Sequence, residues 1–370
     1  MTCARACVVA GWLFVLSGGA EADYRVNLPA PQSSVAHTAY DLHIVVLWVC
    51  LIIFVLVFGA MFYALFRHRK SLGHEARPFH ESTTVEVIWT TIPFLILIGL
   101  AWPATRAVLA QKDTGNPDLT IKITGHQWKW EYEYLQEGVR FMSVLATPRE
   151  QIGNQADKGE HYLLEVDQPL VVPVGKKVRL LLTAADVIHS WWVPALGVKQ
   201  DAIPGFIRDT WFRADATGTF RGQCAELCGK DHAFMPIVVE VKPEAEYQAW
   251  LSARKTGAVA KAVDSSRAFA TDELVARGAK LYLDNCVSCH QADGKGLPGI
   301  FPALAGSRIA TGPAQAHVER VLHGKPGTAM PAFGEQLDDA EIAAVISYER
   351  QSWGNQAGSV QPALVKSLRK

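Results

Sequence analysis

The chain has 370 residues, with 36 basic and 36 acidic side chains and hence no formal net charge at neutral pH. That balance gives no electrostatic footprint for a nucleic-acid partner, and the length leaves room for two or three domains. Hydrophobic residues make up 49% of the sequence, and the excess sits in two long apolar runs rather than being spread evenly.

Residues 1–22 read as a signal peptide. Arg5 supplies a positive start, Ala6 to Leu16 are mostly apolar, and Ala20-Glu21-Ala22 offers a small-x-small cleavage site. A transmembrane hairpin is expected within residues 23–110. Ile44 to Phe66 is 23 residues without a charge and Val87 to Thr105 is 19, each more than the ~18 apolar residues that a spanning helix needs. Arg67, Arg69, Lys70 and Arg77 lie between the runs, whereas Asp23 to His43 holds only Arg25. Positive residues stay inside, so the loop faces the cytoplasm and everything after Thr105 is exported. Glu86 opens the second span, where Thr83-x-x-Glu86 predicts a capping box.

From Leu119 onward the pattern is of short β-type runs. "LTIKITGHQWKWEYEYL" alternates by face, and "PLVVPVGKKVRLLLTA" gives two strands around Gly175. Phe206 to Arg213, Thr219 to Gly222 and "PIVVEV" from Pro236 continue the series, which reads as an all-β sandwich over residues 111–245. The polar stretch 136–161 is expected to be a surface excursion. "PEAEYQAWLSARKT" is a short helix, and the Ala/Lys/Ser-rich residues 246–270 read as a linker. Thr271 is expected to cap a helix, and Asp338 to Trp353 to form a second one, in a small all-α domain over residues 271–354, with a tail over 355–370. That domain is short of core unless something large fills it.

The cysteines sort by place. Of the seven, Cys3 and Cys7 fall in the signal and Cys50 in the first span. The other four form two close pairs, Cys224/Cys228 and Cys286/Cys289. Disulfides are the plain expectation for exported cysteines, but His232 and His290 follow the pairs at metal-ligand spacing.

"CVSCH" at 286–290 has the spacing for haem attachment. Cys286 and Cys289 can add to the two vinyl groups, and His290 then reaches the iron. A zinc knuckle would need a second Cys/His pair, and none follows. Downstream soft or imidazole donors are His317, His323 and Met330. His317 lies in the helical run "AQAHVERVL", where an exposed histidine is expected, whereas Met330 sits in the Gly/Pro-framed loop "GTAMPAFG". Met330 is therefore the preferred sixth ligand, and methionine ligation raises the potential. This segment resembles class I cytochrome c, a likeness that implies packing of Tyr348 and Trp353 against Gly278 and Tyr282.

The loop "GQCAELCGKDHAFMP" at 222–236 places Cys224, Cys228, His232 and Met235 within twelve positions. Zinc is the plain reading of two cysteines and a histidine. The thioether of Met235 and the β scaffold favour copper. Two thiolates can bridge two copper ions, each completed by one histidine. The second histidine is then His126, His161 or His189, of which His189, expected to close a strand in "DVIHSWWVP", is preferred.

Residues 24–250 resemble subunit II of haem–copper cytochrome c oxidases. The stretches that carry the likeness are "GHQWKWEYEY", "VVPVGKKVRL", "DVIHSWWVP", "KQDAIPG" and "GQCAELCGKDHAFMPIVVEV". The resemblance implies a cupredoxin-like fold with a dinuclear copper A centre. Cys224 and Cys228 then bridge the coppers, His189 and His232 bind one each, Met235 is a weak ligand and the Glu226 carbonyl completes the set. It also gives the Glu226 side chain to a Mg2+ at the subunit I interface. Trp128 becomes the residue through which electrons arrive, Trp130 a packing residue and Asp186 an acidic docking position. Glu86 becomes the mouth of a proton channel, as a rival to its capping role. Lys129 departs from the aromatic usual at its place, and it would repel a basic soluble cytochrome.

With the fused haem segment, the whole looks like subunit II of a caa3-type oxidase in a bacterial inner membrane, its copper and haem domains on the periplasmic side. The partners implied are subunit I, where O2 would be reduced to water with proton pumping, other oxidase subunits, and a cytochrome c or cytochrome bc1-type donor. Rival readings are the electron-input subunit of a copper A-containing nitric oxide reductase and a free-standing membrane-tethered electron carrier. A quinol-oxidase subunit would lack the copper ligands.

Overall fold

The computed structural model describes residues 27–73, 80–264 and 267–369. The signal segment and Arg77 lie outside the described residues. Residues Met1–Ala30 and Pro31–Lys370 are separate compact units, and all that follows concerns the second.

Among the described residues two helices, α1 (Ser34–Arg67) and α2 (Thr83–Gln111), are long and apolar enough to cross a membrane. Their apolar side chains point outward over most of their length. At ~1.5 Å per residue they reach ~51 and ~44 Å, beyond the ~30 Å hydrocarbon core. Both therefore overrun the apolar runs that announce them. The start of α1 is tied to the sandwich. Ser33 Oγ accepts from Ala36 N and donates to the Leu196 carbonyl at 2.7 Å. Beside it Gly197, at φ 68°, lies so close that a Cβ would stand 2.6 Å from Ala36 Cα.

The expected capping box at α2 is absent. Ser82 is the N-cap, Thr83 is the first helical residue, and no side chain caps the helix. Glu86 is exposed in the first turn.

Among the described residues ten strands form two five-stranded sheets. They are β1 (Leu119–His126), β2 (Lys129–Tyr134), β3 (Val139–Ser143), β4 (Leu170–Pro173), β5 (Val178–Ala184), β6 (His189–Val193), β7 (Val198–Ala202), β8 (Arg208–Phe212), β9 (Gly218–Cys224) and β10 (Pro236–Lys242). One sheet runs β3-β2-β1-β5-β8 and the other β4-β10-β9-β6-β7. The pairs β1/β5 and β10/β4 are parallel and the rest antiparallel. Strict alternation along β5, Val178, Leu180, Leu182 and Ala184 inward, turns its apolar face to the other sheet. Ile121, Ile123, Trp130, Tyr132 and Trp191 join it in the core. This is the cupredoxin-like sandwich expected, with three local corrections. The polar stretch 136–161 contains β3, which pairs with β2. β7 went unread. His189 opens β6 rather than closing a strand.

Beyond β10, α3 (Glu244–Asp264) continues through most of the stretch read as a linker. Ala and Lys are good helix formers, so propensity holds the helix where apolar periodicity is lacking. The all-α domain then comprises α4 (Thr271–Asn285), α5 (Ala314–His323), α6 (Asp339–Gln351) and α7 (Pro362–Leu368). Thr271 is the first residue of α4, not its cap, and its hydroxyl bonds Ser359 instead. Asp338 and Glu341 form a capping box on α6. The two principal helices meet at Gly278, where a Cβ would stand 2.1 Å from the Ala344 carbonyl oxygen. Tyr282, Tyr348 and Trp353 stack around that crossing with ring centroids 5.0–5.4 Å apart.

Candidate metal and haem sites

The loop 224–235 joins two antiparallel strands whose register sets Pro236 opposite Gln223. It is closed by Cys224 N donating to the Met235 carbonyl at 3.0 Å. On its other side β9 pairs with β6, with Trp191 opposite Cys224. Gly222 permits that approach, since a Cβ there would lie 1.9 Å from the Trp192 carbonyl oxygen. His189, at the head of β6, is thereby brought beside a cysteine 35 positions away.

The donors converge. Cys224 Sγ and Cys228 Sγ are 3.8 Å apart, and neither is in a disulfide. Two thiolates held at ~2.3 Å by one tetrahedral ion stand about 3.8 Å apart, so the spacing suits a metal. His189 Nδ1 lies 3.9 Å from Cys224 Sγ, and His232 Nδ1 3.4 Å from Cys228 Sγ. The Glu226 carbonyl oxygen is 3.4 Å from Cys224 Sγ. Met235 is buried beside them, and the Glu226 side chain is exposed.

The electrostatics suit a cation. A hydrogen bond from Cys228 brings the Cys224 thiol down to about 3, against the cost of burial. Cys228 correspondingly keeps the shared proton and is pushed up. Asp186, the expected acidic docking position, is half-buried and anchors His189, Oδ1 meeting Nε2 at 2.9 Å. It also accepts from Gln127 N and Val187 N, each at 2.7 Å. Burial raises the Asp186 carboxyl, but these hydrogen bonds outweigh it and hold the group below its ordinary value. Burial likewise lowers His189, and its bonds to Asp186 and Cys224 more than reverse that. With Nε2 engaged, Nδ1 is the nitrogen left toward the thiols.

Of the other histidines considered, His126 ends β1 and pairs with Glu131 at 3.4 Å, away from the loop donors. His161 is half-buried in a turn. Trp130 is a packing residue, fully buried with its ring 5.9 Å from that of His189. Trp128 is half-buried, and its Nε1 donates to the Cys228 carbonyl at 3.2 Å. Lys129 is only 5% exposed, so it is not the surface charge expected to repel a soluble donor. Its ammonium reaches Asn285 in the helical domain at 2.6 Å.

In that domain Cys286 is the C-cap of α4, and Val287–His290 forms one helical turn. His290 Nδ1 is held by the Pro302 carbonyl at 2.9 Å, which leaves Nε2 free for an iron. Cys286 and Cys289 are unpaired, as thioether attachment requires. Met330 and Cys286 pack against the same apolar cluster. His317 corrects the expectation of an exposed helix residue. It is 1% exposed, its Nε2 is 2.8 Å from Glu349, and its Nδ1 lacks a partner. Sequence reasoning passed over Glu349, although a carboxylate amid the apolar positions of α6 was a signal.

Three family descriptions match the chain. Residues 119–242 match "Cytochrome C oxidase subunit II, periplasmic domain", residues 22–106 "Cytochrome C oxidase subunit II, transmembrane domain", and residues 273–348 "Cytochrome C oxidase, cbb3-type, subunit III". Cytochrome c oxidase subunit 2 of Cereibacter sphaeroides is 37% identical over 244 residues, covering 61% of this chain and 80% of that one. The probable cytochrome c oxidase subunit 2 of Rickettsia prowazekii is 35% identical, over 64% of this chain and 74% of its own. A crystal structure of the periplasmic domain of subunit II of cytochrome oxidase of Bradyrhizobium japonicum is 47% identical, covering 39% of this chain and 98% of that one with a TM-score of 0.35.

Proposed function

This chain belongs to the cytochrome c oxidase subunit II family and carries a cytochrome c domain, and from that premise we propose that it is the electron-input subunit of a caa3-type oxidase. Electrons from a cytochrome c or cytochrome bc1-type donor reach the helical domain, cross to the sandwich past Trp128, and leave for subunit I. There O2 is reduced to water with proton pumping. Copper and haem, when bound, supply the one-electron chemistry; the protein supplies ligands, spacing and exclusion of water.

The assignment of residues follows the donor set. His189, Cys224, Cys228, His232 and Met235, with the Glu226 carbonyl, hold dinuclear copper A. Asp186 fixes the His189 ring, and the hydrogen bond from Cys228 favours the thiolate form of Cys224. Cys286 and Cys289 would carry haem c, and His290 and Met330 would supply the donors that hold its iron. The exposed Glu226 carboxylate offers an oxygen to Mg2+ shared with subunit I, since that ion is held by one or two carboxylates. With its capping role gone, Glu86 stands at the cytoplasmic end of α2 as the mouth of a proton channel. Both spans sit in a bacterial cytoplasmic membrane, with sandwich and helical domain on the periplasmic side.

The observation that carries this reading is the thiol pair at 3.8 Å between two imidazoles, on a chain that also bears "CVSCH". The test is metal counting and electron paramagnetic resonance on the purified complex. At least two coppers per haem c are expected, with one pair of them sharing one unpaired electron, and Cys224→Ser should abolish that signal while leaving the haem c absorption. One zinc and no copper would sink the reading.

A further inference from the structure

The edge of the sandwich that carries Trp128 is covered by the helical domain, and the contacts concentrate on one short segment. Lys129 Nζ donates to Asn285 Oδ1 at 2.6 Å and stands 5.2 Å from the Phe333 ring centroid. Asn285 is the last residue of α4, directly before Cys286. Lys230, two positions after Cys228, donates to the Ser288 carbonyl at 2.6 Å, between the two haem-attachment cysteines. Arg149 reaches the Leu283 carbonyl at 3.3 Å. Three cations of the sandwich thus meet the last turn of α4 and the turn after it, where helix carbonyls point outward and the macrodipole is negative.

We propose that Lys129 and Lys230 are positioning residues, a two-point clamp that holds the haem-attachment turn of this same chain against the Trp128 face. What the clamp serves rests on the oxidase reading above; the clamp itself stands on the contacts.

Burial of Lys129 argues for a built interface. An ammonium removed from water is costly unless other groups replace its hydration. Here the Asn285 amide oxygen, the helix terminus and the Phe333 face do so, all supplied by the helical domain. Burial still lowers the ammonium to about 8, with Glu131, Asp284 and Asp186 opposing the shift. A lysine left on an open docking face would have no reason to be held in this way. Trp128 is flanked by the two clamp points, directly before Lys129 in sequence and bonded through Nε1 to the carbonyl of Cys228, two positions before Lys230.

The clamp is tested by hydrogen–deuterium exchange on the purified complex carrying Lys129→Met, Lys230→Ser, or both. The double variant is expected to exchange about tenfold faster than the parent at 127–130 and 286–290, with β10 in the far sheet unchanged as an internal control. Unchanged exchange at both segments overturns the clamp. Should β10 also lose protection, the sandwich itself has been damaged through Lys129. Lys230→Ser then decides alone, because that side chain is 44% exposed, and unchanged exchange at 286–290 again overturns the proposal. Copper and haem are counted on the same samples. A parent without copper sinks the oxidase reading and leaves the exchange result standing, whereas a copper-loaded double variant with parental exchange sinks the clamp alone.

Discussion

Replacing Asp186 by Asn removes a single charge from behind the metal loop and leaves the size of the side chain unchanged. The carboxylate accepts three hydrogen bonds, from His189 Nε2 at 2.9 Å and from Gln127 N and Val187 N at 2.7 Å each. An Asn oxygen can serve one side of that set, but its amide nitrogen then faces a donor, either the Gln127 N–H or the imidazole N–H. In either orientation His189 loses the charged partner that fixes its tautomer and ring angle. Loss of such a partner weakens metal affinity about 10–100-fold, or roughly 1.4–2.8 kcal/mol. Competition of the purified complex against a copper chelator reads this directly, and haem c absorption serves as the unaffected control. Parental copper affinity in Asp186→Asn would refute the assignment of Asp186 as the anchor of His189. Equal loss of haem would mean that the substitution acts through folding instead.

Gly278→Ala should destabilise the helical domain, because the new methyl meets backbone 2.1 Å away and the two helices must part. Overpacking of about 2 kcal/mol corresponds to a fall of roughly 8–16 °C in the melting temperature of a domain of this size, read by calorimetry. Glu349→Ala strips His317 of its one hydrogen bond and should cost about 1–3 kcal/mol in the same measurement. Glu131 is a buried carboxylate. Burial raises it, but bonds from His126 and Arg140 outweigh that and hold it below its ordinary value of 4.5. Its contribution to stability is therefore present above pH 4.5 and lost as pH falls through the lower folded value. Glu131→Gln should flatten the acid limb of the sandwich's stability profile, the part lost as pH falls below 4.5.

The strands were legible where faces alternate, as in β1, β2 and β5, and the metal loop was legible because its donors are close in sequence. What local pattern could not carry was tertiary. His189 opens a strand because β6 pairs with β7 and β9, partners invisible to a local reading. His317 looked exposed because its partner Glu349 is 32 positions away on another helix. Lys129 read as a surface charge because nothing local says that a second domain covers β2. The extension of the helix beyond β10 into the stretch read as a linker was missed for the opposite reason, since propensity there is strong and amphipathic patterning weak.

The pairing of β6 with β9 has a consequence for how the donor set is kept aligned. Trp191 faces Cys224 across that ladder, and neighbouring residues on a strand point to opposite faces. A slip of one position would turn the imidazole of His189 away from both sulfurs and would also carry Trp191 and Val193, both fully buried, out of the core. The apolar packing of β6 therefore guards the alignment of the donor set: a chain that mispositions His189 also forfeits core burial, so the site's geometry is enforced by side chains that touch no ligand.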